Sequence, residues 1–209
     1  MKYTYTSFRF SKELFDTIGK YNSLWCEVDA VIQGITEEDL IKKHEEIIAH
    51  SPETKSLSKA INQLIYERLV DLKWESESEI FADPDYSDTK GTWRLDFTKE
   101  CVAIEVGFNH GGNVSWNLIK PVLSSELNHV EKKIQTEIGI LISATDELKT
   151  AGGFDGAVGS YEKYVEYLKP LRNMLTTPIL VVGLKAPETF RIVHQKLSNG
   201  RKQGIIELL

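Results

Sequence analysis

The sequence predicts an α/β fold: a central mixed sheet flanked by helices, with a helical elaboration at the N-terminus. Three observations predict it. Short β-branched runs at 101–108, 138–143 and 178–184 (CVAIEVGF, IGILIS, PILVVGL) read as strands buried on both faces, since a central strand has no solvent side to impose alternation. The stretches between them, 115–134 and 160–175, are helix-like, which gives strand, helix, strand, helix, strand. A 41% apolar content over 209 residues is enough to fill one core.

Ahead of that core the apolar positions step by three and four. Leu14, Phe15 and Ile18, then Leu24, Trp25, Val28, Val31 and Ile32, predict two short helices over 12–34 with a break near Tyr21-Asn22. A charged outer helix follows at 37–50, then a loop at 51–56 marked by Ser51-Pro52. The segment 57–74 sets Leu57, Ile61, Leu64, Ile65, Leu69 and Leu72 on one face, with Ser58 as its N-cap. Residues 75–91 read as loop apart from a short strand at Glu79 to Ala82, and Leu95-Asp96-Phe97 returns through Thr98-Lys99-Glu100 as a hairpin into the strand at 101–108. Tyr161, Tyr164 and Tyr167, at i, i+3 and i+6, read as core or subunit packing. The whole reads as one domain: an N-terminal helical part (1–56), a core (57–185) and a basic C-terminal segment (186–209).

Charge narrows the function classes. The net charge of −6 argues against a non-specific nucleic-acid coat protein. Residues 1–100 hold 13 Lys/Arg against 20 Asp/Glu, whereas 101–209 hold 12 against 11, and 185–209 hold five basic residues against two acidic ones. That end is either a polyanion-facing surface or, more commonly for such clusters, a solvated tail. No run of 18 apolar residues and no signal-peptide core is present, so the expected protein is soluble and intracellular, with no membrane partner. Cys26 and Cys101 lack companions at metal spacing and are expected as buried thiols. His44, His50, His129 and His194 are isolated from one another and read as surface or core histidines.

One residue breaks the pattern. Glu105 sits mid-strand, with Ala103 and Gly107 on its face. It is either an exposed charge on an edge strand or half of a pair with Asp96, which the hairpin would bring close. Two converging carboxylates repel unless a cation neutralises them, and hard oxygen ligands of this kind suit Mg²⁺. The glycines of 152-GGFDGAVGS-160 fit neither dinucleotide nor Walker spacing, so no nucleotide cofactor is expected.

The Asp96, hairpin, Glu105 arrangement in 94-RLDFTKECVAIEVGFN-109 resembles the PD-(D/E)xK nuclease signature, with Glu105 nine positions after Asp96. The helix 62-NQLIYERLVDLKW-74, the helix and strand over 112–142, and 178-PILVVGL-184 are similar to the BamHI/BglII/BstYI-like type II restriction endonucleases, over roughly residues 55–185. The resemblance implies a restriction-endonuclease-like core and a homodimer acting on double-stranded DNA in a prokaryotic cytoplasm. It implies Mg²⁺-dependent cleavage of both strands at a short palindrome, leaving 5′-phosphate ends. Carried over by position, Asp96 and Glu105 are the metal carboxylates, the Val106 carbonyl is the main-chain ligand, and Asn62 is the helix residue facing the site. The polar turn 109–117 then projects toward DNA, with Asn109, His110, Asn113, Ser115 and Asn117 as base-side candidates and Lys120 as a phosphate contact. Asp155 and Ser160 are contacts from the glycine-rich loop.

Gly107 departs from the pattern, because the third motif position carries a side chain in the relatives. Three explanations stay open: a group from elsewhere (Asn109, His110, Glu126 or Lys133), chemistry that needs only metal, phosphate and water, or a weakened nuclease. Competing functions are a structure-specific repair or resolvase-type nuclease and a non-catalytic DNA-binding module. A metabolic α/β enzyme is disfavoured by the lack of a cofactor loop.

Overall fold

A computed structural model describes residues 1–83, 85–86, 92–126 and 129–209. The chain runs β1 (Tyr3–Phe8), α1 (Ser11–Thr17), α2 (Gly19–Gly34), α3 (Glu37–His50), α4 (Ser58–Asp71), β2 (Glu75–Glu79), β3 (Arg94–Lys99) and β4 (Val102–Val106). It continues through a short 3-10 turn at Gly111–Asn113 into α5 (Val114–Ser125), β5 (Ile138–Ala144), α6 (Asp146–Ala151), α7 (Tyr161–Leu168), β6 (Ile179–Leu184), β7 (Phe190–Lys196) and β8 (Lys202–Leu208).

Six strands form one mixed sheet in the order β1-β6-β5-β4-β3-β2. β4, β5 and β6 run parallel, and their residues are buried except for half-buried Val106, as the unbroken apolar runs require. β3 returns antiparallel to β4 through a turn whose Glu100 has φ 49°, and β1 closes the far edge against β6. One face of the sheet packs on α2, α3 and α4 through Trp25, Val28, Leu40 and Ile65. The other packs on α5 and α7 through Val114, Leu118, Tyr164 and Leu168.

The α/β class and the three predicted core strands stand; several boundaries are corrected. The N-terminal part is helical but begins with β1. The break between α1 and α2 falls at Ile18, in extended conformation, rather than near Tyr21-Asn22. Ser58 is the first residue of α4 rather than its cap, and Ser56 Oγ stands 2.9 Å from Ser58 Oγ just outside the helix. The strand expected at Glu79 to Ala82 lies earlier, at Glu75–Glu79; of the expected loop at 75–91, residues 84 and 87–91 are outside the described ones.

The helix expected over 115–134 stops at Ser125, where Ser124 Oγ turns to the Pro121 carbonyl and Ser125 Oγ to that of Val122. Of the remainder, 127–128 lie outside the described residues, and Lys132 forms a bridge with Phe81. The helix expected over 160–175 ends at Leu168, two residues before Pro170.

The largest correction is the C-terminal segment. It is a hairpin, β7 with β8, rather than a solvated tail. Phe190 and Ile192 enter the main core while Arg191 faces water, and the Gly204 carbonyl meets His44 Nε2 at 2.8 Å. Cys26 is exposed and Cys101 half-buried, against the expectation of buried thiols, because Cys26 lies on the outer face of α2 and Cys101 in the β3–β4 turn. His44 is a core histidine, and His50, His129 and His194 are on the surface. Among the described residues no helix is long and apolar enough to cross a membrane.

Candidate active site

The site forms where β3 and β4 diverge. Phe97 is the last residue of β3 paired with β4, opposite Ile104, so the ladder carried one step further sets Asp96 beside Glu105. Instead of continuing the ladder, Asp96 turns its carboxylate onto the neighbouring strand, where Oδ2 accepts the Val106 backbone N–H at 2.6 Å. Asp96 and Val106 line a cleft of about 540 Å³ whose far wall is α4, through Lys59, Asn62 and Tyr66. Glu77 of β2 also lines it; by register it faces Asp96, in left-handed conformation at φ 52°. That backbone geometry is uncommon away from glycine and tends to mark functional clefts.

Glu105, one residue before Val106 on β4, does not line the cleft; it is 1% exposed, and its Oε2 forms an ion pair with Lys120 Nζ from α5. Its other oxygen, Oε1, is buried without a hydrogen-bond partner. Burial pushes the Glu105 carboxyl well up from its ordinary value and the Asp96 charge adds to this, while Lys120 and the Asp96 backbone N–H, which faces the carboxylate, oppose both. Burial also raises Asp96, against the pull of Lys120 and the Val106 N–H. The two carboxylates therefore share a pocket that holds less positive charge than negative.

An orphaned oxygen in such a pocket fits a hard cation. Asp96 and Glu105 are the carboxylates that would hold one, leaving other positions to main-chain oxygen, water and substrate, as Mg²⁺ commonly does; the neighbouring Val106 carbonyl accepts the Phe108 N–H at 3.3 Å. Among the described residues no group of three or more His, Cys, Asp or Glu converges as a metal cluster.

The residues singled out from sequence divide into three sets. Asp96, Glu105 and Val106 are brought together, with Asn62 across the cleft. Asn109, His110 and Asn113 are exposed, Ser115 is half-exposed, and their loop lies against the glycine-rich loop. Gly111 N–H donates to the Ala157 carbonyl at 2.6 Å, and Gly159 N–H donates to that of Asn109 at 3.0 Å. Two separately nominated loops thus make one surface, on which Asp155 is exposed and caps Ala157 at 2.8 Å.

The third set points inward. Asn117 is 2% exposed and Ser160 5%, so neither side chain projects outward as expected; Asn117 Nδ2 donates to the Tyr164 hydroxyl at 2.7 Å and to Asn109 Oδ1 at 3.2 Å. Lys120, expected on a phosphate, is bound to Glu105.

Tyr164 was read only as packing, yet it decides the shape of the site. A Cβ at Gly107 would overlap its hydroxyl and stand 2.8 Å from its Cζ. The sequence signal for Lys120 was the lone charge inside the apolar run 118-LIKPVL-123, the counterpart of the lone glutamate in the strand.

A model of the family described as restriction endonuclease BglII/BglIII matches residues 3–184. The fold is similar to that of BglII complexed with a DNA 16-mer, at 18% identity and a TM-score of 0.64 over all of both chains. Free BglII is also similar, at 18% identity and a TM-score of 0.58 over all of this chain and 93% of that one. A comparison with curated proteins returns no match. The chain belongs to the restriction endonuclease BglII/BglIII family and is a site-specific deoxyribonuclease of type II.

Proposed function

We propose that this nuclease hydrolyses both strands of a short palindromic DNA site with Mg²⁺, through a site of the PD-(D/E)xK kind. The observation that carries the reading is the pair Asp96 and Glu105, held on adjacent strands at a cleft with one Glu105 oxygen left orphaned. Asp96, Glu105 and the Val106 carbonyl would hold the ion, and a bound Mg²⁺ polarises a phosphodiester and lowers the pKa of a coordinated water. In the hydrolysis a water oxygen bonds to phosphorus as the bond to the 3′ oxygen breaks, leaving 5′-phosphate and 3′-hydroxyl ends. Asn62, exposed on α4 across the cleft, is assigned to substrate positioning there.

The joined loops 109–113 and 155–159 are the assigned DNA-facing surface. The exposed Asn109 and Asn113 amides and the His110 imidazole suit base edges, which is the chemistry sequence readout needs. BglII, the similar protein of known structure, is recorded bound to a DNA 16-mer, which supports duplex DNA as the substrate here. Homodimerisation follows from a palindrome's two equivalent phosphodiesters, one for each subunit's site.

The test is incubation of plasmid and phage DNA with Mg²⁺, followed by mapping of the ends and light scattering of the protein. Discrete fragments with 5′-phosphates, lost in Asp96→Ala and Glu105→Ala, are expected from a dimer of the wild-type chain. DNA left intact by the wild type across metals and salts would overturn the reading.

A further inference from the structure

The strand that carries Glu105 has no side chain two residues later, and the fold closes that place. A Cβ on Gly107 would overlap the Tyr164 hydroxyl and lie 3.2 Å from Asn117 Nδ2. Tyr164 is itself fully buried and fixed by Asn117, so the obstruction is rigid. A neutral phenol from α7 and an amide from α5 thus fill the position where the nuclease motif carries its third group.

A positive charge enters the same site from α5. Lys120 lies three residues after Asn117, on the same face of that helix, and is 9% exposed. A buried ammonium is costly unless paired, and Glu105 is its partner. The other candidates for the missing group are engaged elsewhere. Lys133 Nζ bonds Glu79 at 3.1 Å and His110 Nδ1 accepts the Gly112 N–H at 3.0 Å, while Glu126 is an anion and cannot supply a positive charge. Asn109 faces Asn117.

We infer that Lys120 supplies, from α5, the cationic group that the strand lacks at Gly107, acting on the scissile phosphate beside Glu105, with Tyr164 and Asn117 holding the strand position shut. This rests on the nuclease reading above. Phosphoryl transfer depends on fixed positive charge where negative charge gathers, and the position of that charge in space matters rather than its place in the sequence. A lysine arriving from the neighbouring helix meets that requirement.

The test compares wild type, Asp96→Ala, Lys120→Met and Lys120→Cys in three measurements: Mn²⁺ binding by calorimetry without DNA, DNA binding in Ca²⁺, and single-turnover cleavage in Mg²⁺. Lys120→Met is expected to bind Mn²⁺ and DNA within about threefold of the wild type, or tighter, and to cleave about 100-fold more slowly. Alkylating Lys120→Cys with 2-bromoethylamine rebuilds an ammonium of lysine length and is expected to restore cleavage about tenfold or more. Wild type treated in parallel controls for Cys26 and Cys101.

Cleavage by Lys120→Met within about threefold of the wild type overturns the inference while leaving the nuclease reading intact. Joint loss of Mn²⁺ binding and cleavage, with no recovery on alkylation, overturns it too, since Lys120 then only supports Glu105. If neither variant folds, Lys120→Gln decides, since it keeps a hydrogen-bond donor to Glu105 without the charge: a folded protein that binds Mn²⁺ and cleaves about tenfold slower or worse supports the inference, and wild-type cleavage sinks it. DNA left uncut by the wild type overturns both.

Discussion

The Tyr164 hydroxyl stands where a side chain at position 107 would begin, so these two residues determine each other. Gly107→Ala should therefore act as an overpacking change and destabilise by about 1–3 kcal/mol. Tyr164→Phe removes the clashing oxygen but leaves Asn117 Nδ2 only its 3.2 Å contact with Asn109. The double variant should be more stable than the sum of the two single losses predicts, as read by a urea-unfolding cycle. Simple additivity would show that the two residues do not meet.

Glu105→Gln should separate stability from activity. The Glu105 carboxyl is raised by burial and by Asp96, so between pH 4.5 and its folded value the native state binds more protons than the unfolded one. Its contribution is complete below pH 4.5 and is lost as pH rises. Without metal, the wild type should lose melting temperature relative to the glutamine variant as pH rises from 4.5 to 8, while the variant loses about 100-fold or more in cleavage. Added Mg²⁺ should raise the melting temperature of the wild type and not that of Asp96→Asn.

Two asparagines four residues apart should fail in different ways. Asn113 is exposed on the joined loops, so Asn113→Ala should leave folding unchanged and relax discrimination among site variants by about 1–3 kcal/mol. Asn117 is buried under Tyr164, so Asn117→Ala should cost about 1–3 kcal/mol of stability by stranding the phenol hydroxyl. Cleavage of a panel of single-base site variants, beside thermal melts, distinguishes the two.

His44 makes the hairpin's attachment sensitive to acid. It is fully buried, Nε2 faces the Gly204 carbonyl and Nδ1 has no partner; burial holds its pKa below the usual 6.5, against the Gly204 carbonyl and Glu45. The unfolded chain takes up the proton first, so the stability from neutral His44 is present above pH 6.5 and falls as pH drops from there toward the folded value. His44→Gln should flatten melting temperature against pH in that window.

Gly204→Ala should undock the hairpin. Its Cβ would overlap the Lys55 carbonyl oxygen and stand 2.7 Å from Ile192 Cγ2, and the Gly204 N–H to Thr54 carbonyl bond, 2.9 Å, would be strained. A loss of about 1–3 kcal/mol is expected. Amide exchange should quicken first over Phe190–Lys196 and Lys202–Leu208.

The sequence by itself determined the α/β class, the three buried parallel strands and the hairpin that carries Asp96 and Glu105. Each rests on a local pattern: unbroken β-branched runs, a short return, a charge where a strand should have none. The alternating 190-FRIVHQK-196 carried a signal of the same kind, but its net positive charge led to a tail reading. What only the tertiary structure decided is which distant groups meet. Sequence alone gives Lys120 no partner inside the protein; α5 packing against β4 pairs it with Glu105. Tyr164 reads as core until α7 delivers its hydroxyl to Gly107. Periodicity shows which face of a helix is buried, but not what that face lies against; strand order and packing set that. The pairing of Lys120 with Glu105 therefore appears only in the folded chain.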